Sequence, residues 1–183
     1  ADFVDTIKKS VFRILRIKYR YLYPEGMDGL LPKIDEITSN LPHEEGKSFF
    51  FNLACRSTTL IRNEGHPLTL SENDKILLVG QYSLFFSEGN TRFPQADTYY
   101  FPYDGPNAQD TAELLRRGAK YDAIILCLAN PGSLKGLQSL KVFVDKLMVL
   151  SVLSPVYLKN ATWVKTAIAV YGTAFESFRA GFA

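Results

Sequence analysis

The spacing of apolar residues changes along the chain. In "DFVDTIKKSVFRILRIKYRYLY", residues 2–23, Val4, Ile7, Val11, Ile14 and Tyr21 recur at multiples of three and four, and Leu15, Ile17 and Leu22 widen the stripe. That spacing predicts an amphipathic helix, with Asp2 or Asp5 near its N-terminus and Pro24 and Gly26 ending it. The following "PEGMDGLLPKIDEITSNLPHEEG" is punctuated by Pro and Gly and reads as a connector, with one helical turn around Lys33 to Thr38. A second helix is predicted through "EEGKSFFFNLACRSTTLIRN", residues 44–63, with Phe50, Leu53, Ala54, Ser57, Leu60 and Ile61 on the side that covers a sheet.

Beyond that point the period shortens. "KILLVG" (75–80), "TYYFPY" (98–103), "DAIILCLA" (122–129), "MVLSVL" (148–153) and "TAIAVYG" (166–172) are short and β-branched or aromatic, and most are continuously apolar. Strands buried on both faces have this composition, so the sheet is expected to be parallel and covered on each side. "NAQDTAELLRRGA" and "LKGLQSLKVFVDKL" supply helices between strands; Asp110 and Glu113 lie early in the first of them and Arg116 and Arg117 late, as the helix dipole favours. The expected fold is α/β: an open, mostly parallel sheet of five or six strands with helices on both faces, a three-layer α/β/α sandwich.

"RSTTLIRNEGHPLTL" places Glu64 two positions before His66, the spacing of a proton-transfer pair. The flanking residues favour punctuation instead. Asn63 to Gly65 suit the stop of a helix, Pro67 bars its continuation, and Leu68 and Leu70 lead towards the first strand.

Composition narrows the picture in two places. The formal charge of +2 conceals an excess of +4 within residues 1–20, so the remainder carries −2 and offers no general nucleic-acid surface. The basic helix is compatible with a membrane or calmodulin-type segment, but a solvated face with its stripe packed on a neighbouring domain is the simpler reading. Cys55 and Cys127 lie far apart with no CxxC and no nearby His, which points to two buried free thiols rather than a metal set. The longest apolar runs fall well short of the roughly 20 residues of a spanning helix, and no compartment is assigned.

In an open parallel sheet, ligands bind beyond the carboxyl ends of strands. "VGQYSLFFSEGNTRF" lacks the glycines of a dinucleotide fingerprint, no GxxxxGK[ST] or GxSxG occurs, and both histidines precede the sheet. The segment from Gln81 to Ala96 reads as an unusually long loop, and Glu88, Asn90 and Arg92 within it are weak candidates for substrate contact. Asn130, in "ANPGS", is the fourth: the turn is either a helix start that offers backbone N–H groups to an anion or sugar oxygen, or a plain strand-to-helix turn. Among carboxylates, Asp97, Asp104, Asp110 and Asp122 form no convincing catalytic pair. No catalytic residue, cofactor or metal site is assigned.

Several stretches, taken in order, resemble glycoside hydrolase family three. "SVFRILRIKYRYLY" is similar to the closing helix of that family's catalytic barrel, where "S-V-x-R-I-L-x-x-K" recurs; "ACRSTTLIRNEGHPLTL" followed by "KILLVG" resembles the start of its second domain. "YDAIILCLAN", "LSVLSPVYL" and "AIAVYGTAFESFRAGFA" resemble its later strands and final helix, and the β-N-acetylhexosaminidase branch is the nearest in look. The resemblance implies a retaining glycosidase whose Asp nucleophile sits on the barrel, with a barrel-loop His as acid/base in that branch. The "K-H-F-P-G-H-G" type of motif is absent, so His43 and His66 receive no role. Other branches use a second-domain Glu as acid/base, yet no local motif carries that role to Glu88.

The expected organisation is therefore residues 1–26 as the terminal helix of a missing N-terminal barrel, 27–43 as linker and 44–183 as the C-terminal α/β domain, truncated at both ends and inactive alone. Its expected partners are that barrel and, in the full-length enzyme, a carbohydrate substrate; no nucleic acid and no membrane span are expected. From other classes stand a non-catalytic carbohydrate-binding or protein-interaction module and, with every phosphate and nucleophile motif missing, an independent flavodoxin-like enzyme.

Overall fold

A computed structural model of the chain describes residues 2–23, 34–41, 43–64 and 70–183. The chain divides into two units, Ala1–Lys47 and Ser48–Ala183.

The first unit holds α1 (Phe3–Tyr21), α2 (Ile34–Asn40) and the opening turn of α3 (Glu44–Ser57). Asp2 caps α1, its Oδ1 accepting from the Val4 N–H at 3.2 Å, and Lys18 and Arg20 occupy the last turn, where the dipole favours cations. The predicted stripe is present but uncovered. No residue of α1 is buried, and Val4, Ile7, Val11 and Ile14 remain 46 to 55% exposed.

The second unit is a six-stranded sheet: β1 (Thr59–Asn63), β2 (Ile76–Gly80), β3 (Asp97–Tyr100), β4 (Ala123–Leu128), β5 (Leu147–Ser151) and β6 (Thr166–Ala169), in the order β1-β6-β5-β4-β2-β3. β1 runs antiparallel to β6 and every other pairing is parallel. β2, β4 and β5 are buried at every position, as their unbroken apolar composition implies. Alternate residues serve opposite faces. Leu77, Val79, Ile124, Leu126 and Val149 pack with Leu114 of α5 (Ala108–Gly118) and Leu137 of α6 (Pro131–Ser139). Ile76, Leu78, Ile125, Met148 and Leu150 pack on the other face with Phe85 of α4 (Ser83–Arg92) and Phe178 of α7 (Phe175–Phe182). The expected three-layer α/β/α sandwich is the observed one.

α4 and α7 meet through Phe85, whose ring lies 6.0 Å from Phe178 and 5.4 Å from Phe182. Gly89 lets α4 lie close on the sheet, since a Cβ there would come within 2.5 Å of Leu78 Cδ1.

Two expected elements differ. The helix predicted over 44–63 ends at Ser57, and residues 59–63 form β1. At the helix end the Ser57 and Thr58 hydroxyls donate to the Ala54 carbonyl at 2.9 and 3.0 Å, a local alternative to the helical ladder. Arg62 then locks the extended segment in place: its guanidinium donates to the carbonyls of Ala161 (2.7 Å), Val164 (3.1 Å) and Leu158 (3.2 Å). The covering face also shifts by one position, with Phe51, Ala54 and Thr58 half-buried while Phe50 and Leu53 stay 57 and 52% exposed. The second correction is α4 itself, which fills most of the 81–96 segment expected to be a loop; its apolar residues include Phe85 at the core, and only its polar remainder looked loop-like.

Candidate functional site

The parallel strands run in the order β3-β2-β4-β5-β6, so successive crossovers reverse direction between β2 and β4. Ligands of such sheets bind at that reversal, beyond the carboxyl ends of the two strands. Here the crevice is filled by the protein's own segment Pro102–Gly105. Gln81, the first residue after β2, donates from Nε2 to the carbonyls of Pro102 at 2.8 Å and Tyr103 at 2.9 Å. From the β4 side, Asn130 Nδ2 donates to the same Tyr103 carbonyl at 3.3 Å. The segment turns through the Gly105 N–H to Pro102 carbonyl bond at 2.9 Å, with Gly105 at φ 98°, and it lies directly on Gly132. A Cβ at Gly105 would meet the Gly132 carbonyl at 2.7 Å, so both glycines are required by the close approach.

Asn130 is buried and caps α6 through reciprocal bonds with Ser133. Its Oδ1 accepts from the Ser133 N–H at 2.7 Å, and the Ser133 hydroxyl accepts from the Ala129 and Asn130 N–H groups, each at 2.9 Å. These donors are consumed internally. Both readings of "ANPGS" share this capped helix start.

Glu88, Asn90 and Arg92 lie on α4, not on a loop, and α4 leads back from the carboxyl edge towards the start of β3. Asn130 at the carboxyl edge is therefore not brought together with Arg92, which sits on the last turn of α4. Asn90 and Arg92 are exposed, whereas Glu88 is only 6% exposed. Glu88 and Arg92, one helical turn apart, line a cleft of about 270 Å³ with Phe51, Arg179 and Phe182. Sequence reading had not singled out Arg179, Phe51 or Gln81. The available signals were a polar amide directly after the first parallel strand and an Arg four residues beyond Phe175 on α7.

Asp97, Asp110 and Asp122 have structural partners, and Asp104 receives Lys135 only on its backbone carbonyl. Asp110 completes the cap of α5 with Asn107, Asp122 accepts from the Lys75 N–H at 2.9 Å, and Asp97 accepts from the Tyr121 hydroxyl at 2.5 Å. Burial, then the bond to Asp97, raises the Tyr121 pKa; burial, then Cys127 and Tyr103, raises that of Tyr82. Cys127 is buried and its thiol pKa is pushed far up by desolvation, while Cys55, expected to be buried, is exposed on α3; both are free. Glu64 donates its N–H to the Lys165 carbonyl at 2.9 Å beyond β1, and His66 lies outside the described residues. Among the described residues no cluster of His, Cys, Asp and Glu has the makings of a metal site, and no helix is long and apolar enough to cross a membrane.

This architecture recurs in solved enzymes. The fold is shared with regions of family 3 glycoside hydrolases. A family 3 β-N-acetylglucosaminidase from Paenibacillus sp. str. FPU-7 matches with a TM-score of 0.72 at 19% identity, over 97% of this chain and 36% of that one. A fungal multi-domain family 3 β-N-acetylglucosaminidase, described as containing a GCN5-related glucosamine N-acetyltransferase region, matches at 0.72 and 19%, over 97% of this chain and 21% of its own. A β-glucosidase from Listeria innocua matches at 0.73 and 13%, over 99% and 30%. The chain thus spans between about a fifth and about a third of these proteins. No protein-family model and no curated protein matches the sequence.

Proposed function

We propose that this chain is the C-terminal α/β domain of a family 3 glycosidase, with residues 1–26 the last helix of its catalytic barrel, 27–43 a linker and 44–183 the domain that buttresses the barrel. The observation that carries the reading is the 97% coverage by two β-N-acetylglucosaminidases, which extends beyond the sandwich into the helical segment before it. The uncovered stripe of Val4, Ile7, Val11 and Ile14 supports it, because a helix with that stripe gains stability by packing it on a partner. The whole enzyme then hydrolyses terminal β-linked N-acetylglucosamine with retention, through a covalent glycosyl intermediate on a barrel carboxylate. The α/β domain holds no catalytic group, and Glu88, Asn90, Arg92 and Asn130 do not act on the reacting bond.

The test is to clone the complete reading frame and assay its product on aryl β-N-acetylglucosaminide and aryl β-glucoside, following the product anomer by NMR. Preference for the N-acetylated substrate with the β-anomer formed first is expected. Preference for the glucoside, or the α-anomer first, contradicts the substrate or the mechanism respectively.

A further inference from the structure

The cleft between α3, α4 and α7 gathers three charged groups, Glu88, Arg92 and Arg179, none of which forms an ion pair within the protein. Glu88 is 94% buried by its 6% exposure, yet no hydrogen bond or ion pair to it is present. Its side chain is covered by the protein while it lines the cleft, so its carboxylate is accessible from there. Arg92 stands four residues on, the spacing at which a helical Glu and Arg pair. Its guanidinium lies instead over the Phe93 ring, 5.3 Å from the centroid. Arg179 Cζ lies over the Phe51 ring, 4.5 Å from its centroid, with the Phe175 ring at 6.0 Å. A guanidinium held over an aromatic face makes no hydrogen bond to that ring's edge, so its N–H groups can take a carboxylate or phosphate.

From this we infer that the cleft binds a small hydroxylated anion: a compound whose carboxylate or phosphate engages Arg179 and Arg92, and whose hydroxyl groups donate to Glu88. The roughly 270 Å³ of space fits one monosaccharide-sized molecule, and Phe51 and Phe182 provide apolar walls for its ring. The inference is independent of the glycosidase reading, since it rests on groups away from the carboxyl edge of the sheet.

The test is titration of the 183-residue chain with glucuronate, followed by calorimetry and by amide chemical shifts. Glucose supplies the hydroxyls without the charge, acetate the charge without the hydroxyls, and glucose 6-phosphate distinguishes a phosphate from a carboxylate. Because Ala183 also borders the cleft, the titration is repeated on a form with its terminal carboxylate amidated. Saturable binding of glucuronate or glucose 6-phosphate to either form, with glucose and acetate at least about tenfold weaker, is expected, as is a loss of about tenfold or more in Arg179→Met and Glu88→Gln. Shift changes in the unaltered chain should centre on Phe51, Thr91 and Phe182, which decides the question even where a variant misfolds. Absence of binding by both anions in both forms, shifts centred elsewhere, or glucose or acetate binding as tightly as the anions overturns the proposal.

Discussion

α1 and α5 are both strongly amphipathic, both capped by an acidic or amide side chain at the start, and both basic in the last turn. Only α5 buries its apolar side: Leu114 is fully buried against Leu77, Val79 and Leu126, whereas α1 buries nothing. Local sequence therefore suffices to make either helix amphipathic, and what separates them is whether a complementary surface lies within the same unit. The stripe of α1 stays exposed, whereas that of α5 is covered within its own unit.

The comparison breaks most readily at the apolar positions. Leu114→Ala should lower the stability of the α/β unit by about 2 to 5 kcal/mol, while Val11→Ala in α1 should change it by less than about 0.5 kcal/mol, both read from urea unfolding. Equal losses would mean that α1 is packed after all. A second, smaller effect concerns the antiparallel edge. Arg62→Met strips donors from three carbonyls at once and should cost about 1.5 to 3 kcal/mol, with hydrogen exchange rising first in β1 and β6. Exchange unchanged in those strands would show that the β1 pairing stands without Arg62.

Smallest is the alkaline response. Tyr99 and Tyr121 pack against the core around α5, and both have pKa values raised mainly by burial. A raised phenol keeps its proton longer in the folded state, so its stabilisation is complete below the unfolded value of about 10 and is lost as pH rises through the folded one. Absorbance titration should show these two ionising above the ordinary phenol value of about 10. Ionisation of both at the ordinary value would mean that the core around α5 does not cover them.

The strands were legible because continuous apolar runs such as Ile76–Gly80 and Ala123–Leu128 have few other uses in a chain of this size. β1 was not legible. Residues 59–63 follow a helical spacing from the preceding segment, and the reason they extend is a set of carbonyls about a hundred residues away that Arg62 reaches. α4 was hidden for a related reason: Gly89 and the polar residues around it look like a loop until Leu78 shows why a glycine must face the sheet. The candidate site was legible only in part. Asn130 was found with both of its readings, and Glu88 and Arg92 were found without the Arg179 that shares their cleft, because neither periodicity nor spacing connects α4 to α7.

Turnover of an aryl β-N-acetylglucosaminide by the purified 183-residue chain tests the central claim most directly. If the proposed organisation holds, no hydrolysis above the buffer rate is expected, because that organisation places the catalytic carboxylate and its acid/base partner on a barrel outside these residues. Robust turnover by this chain alone would contradict it.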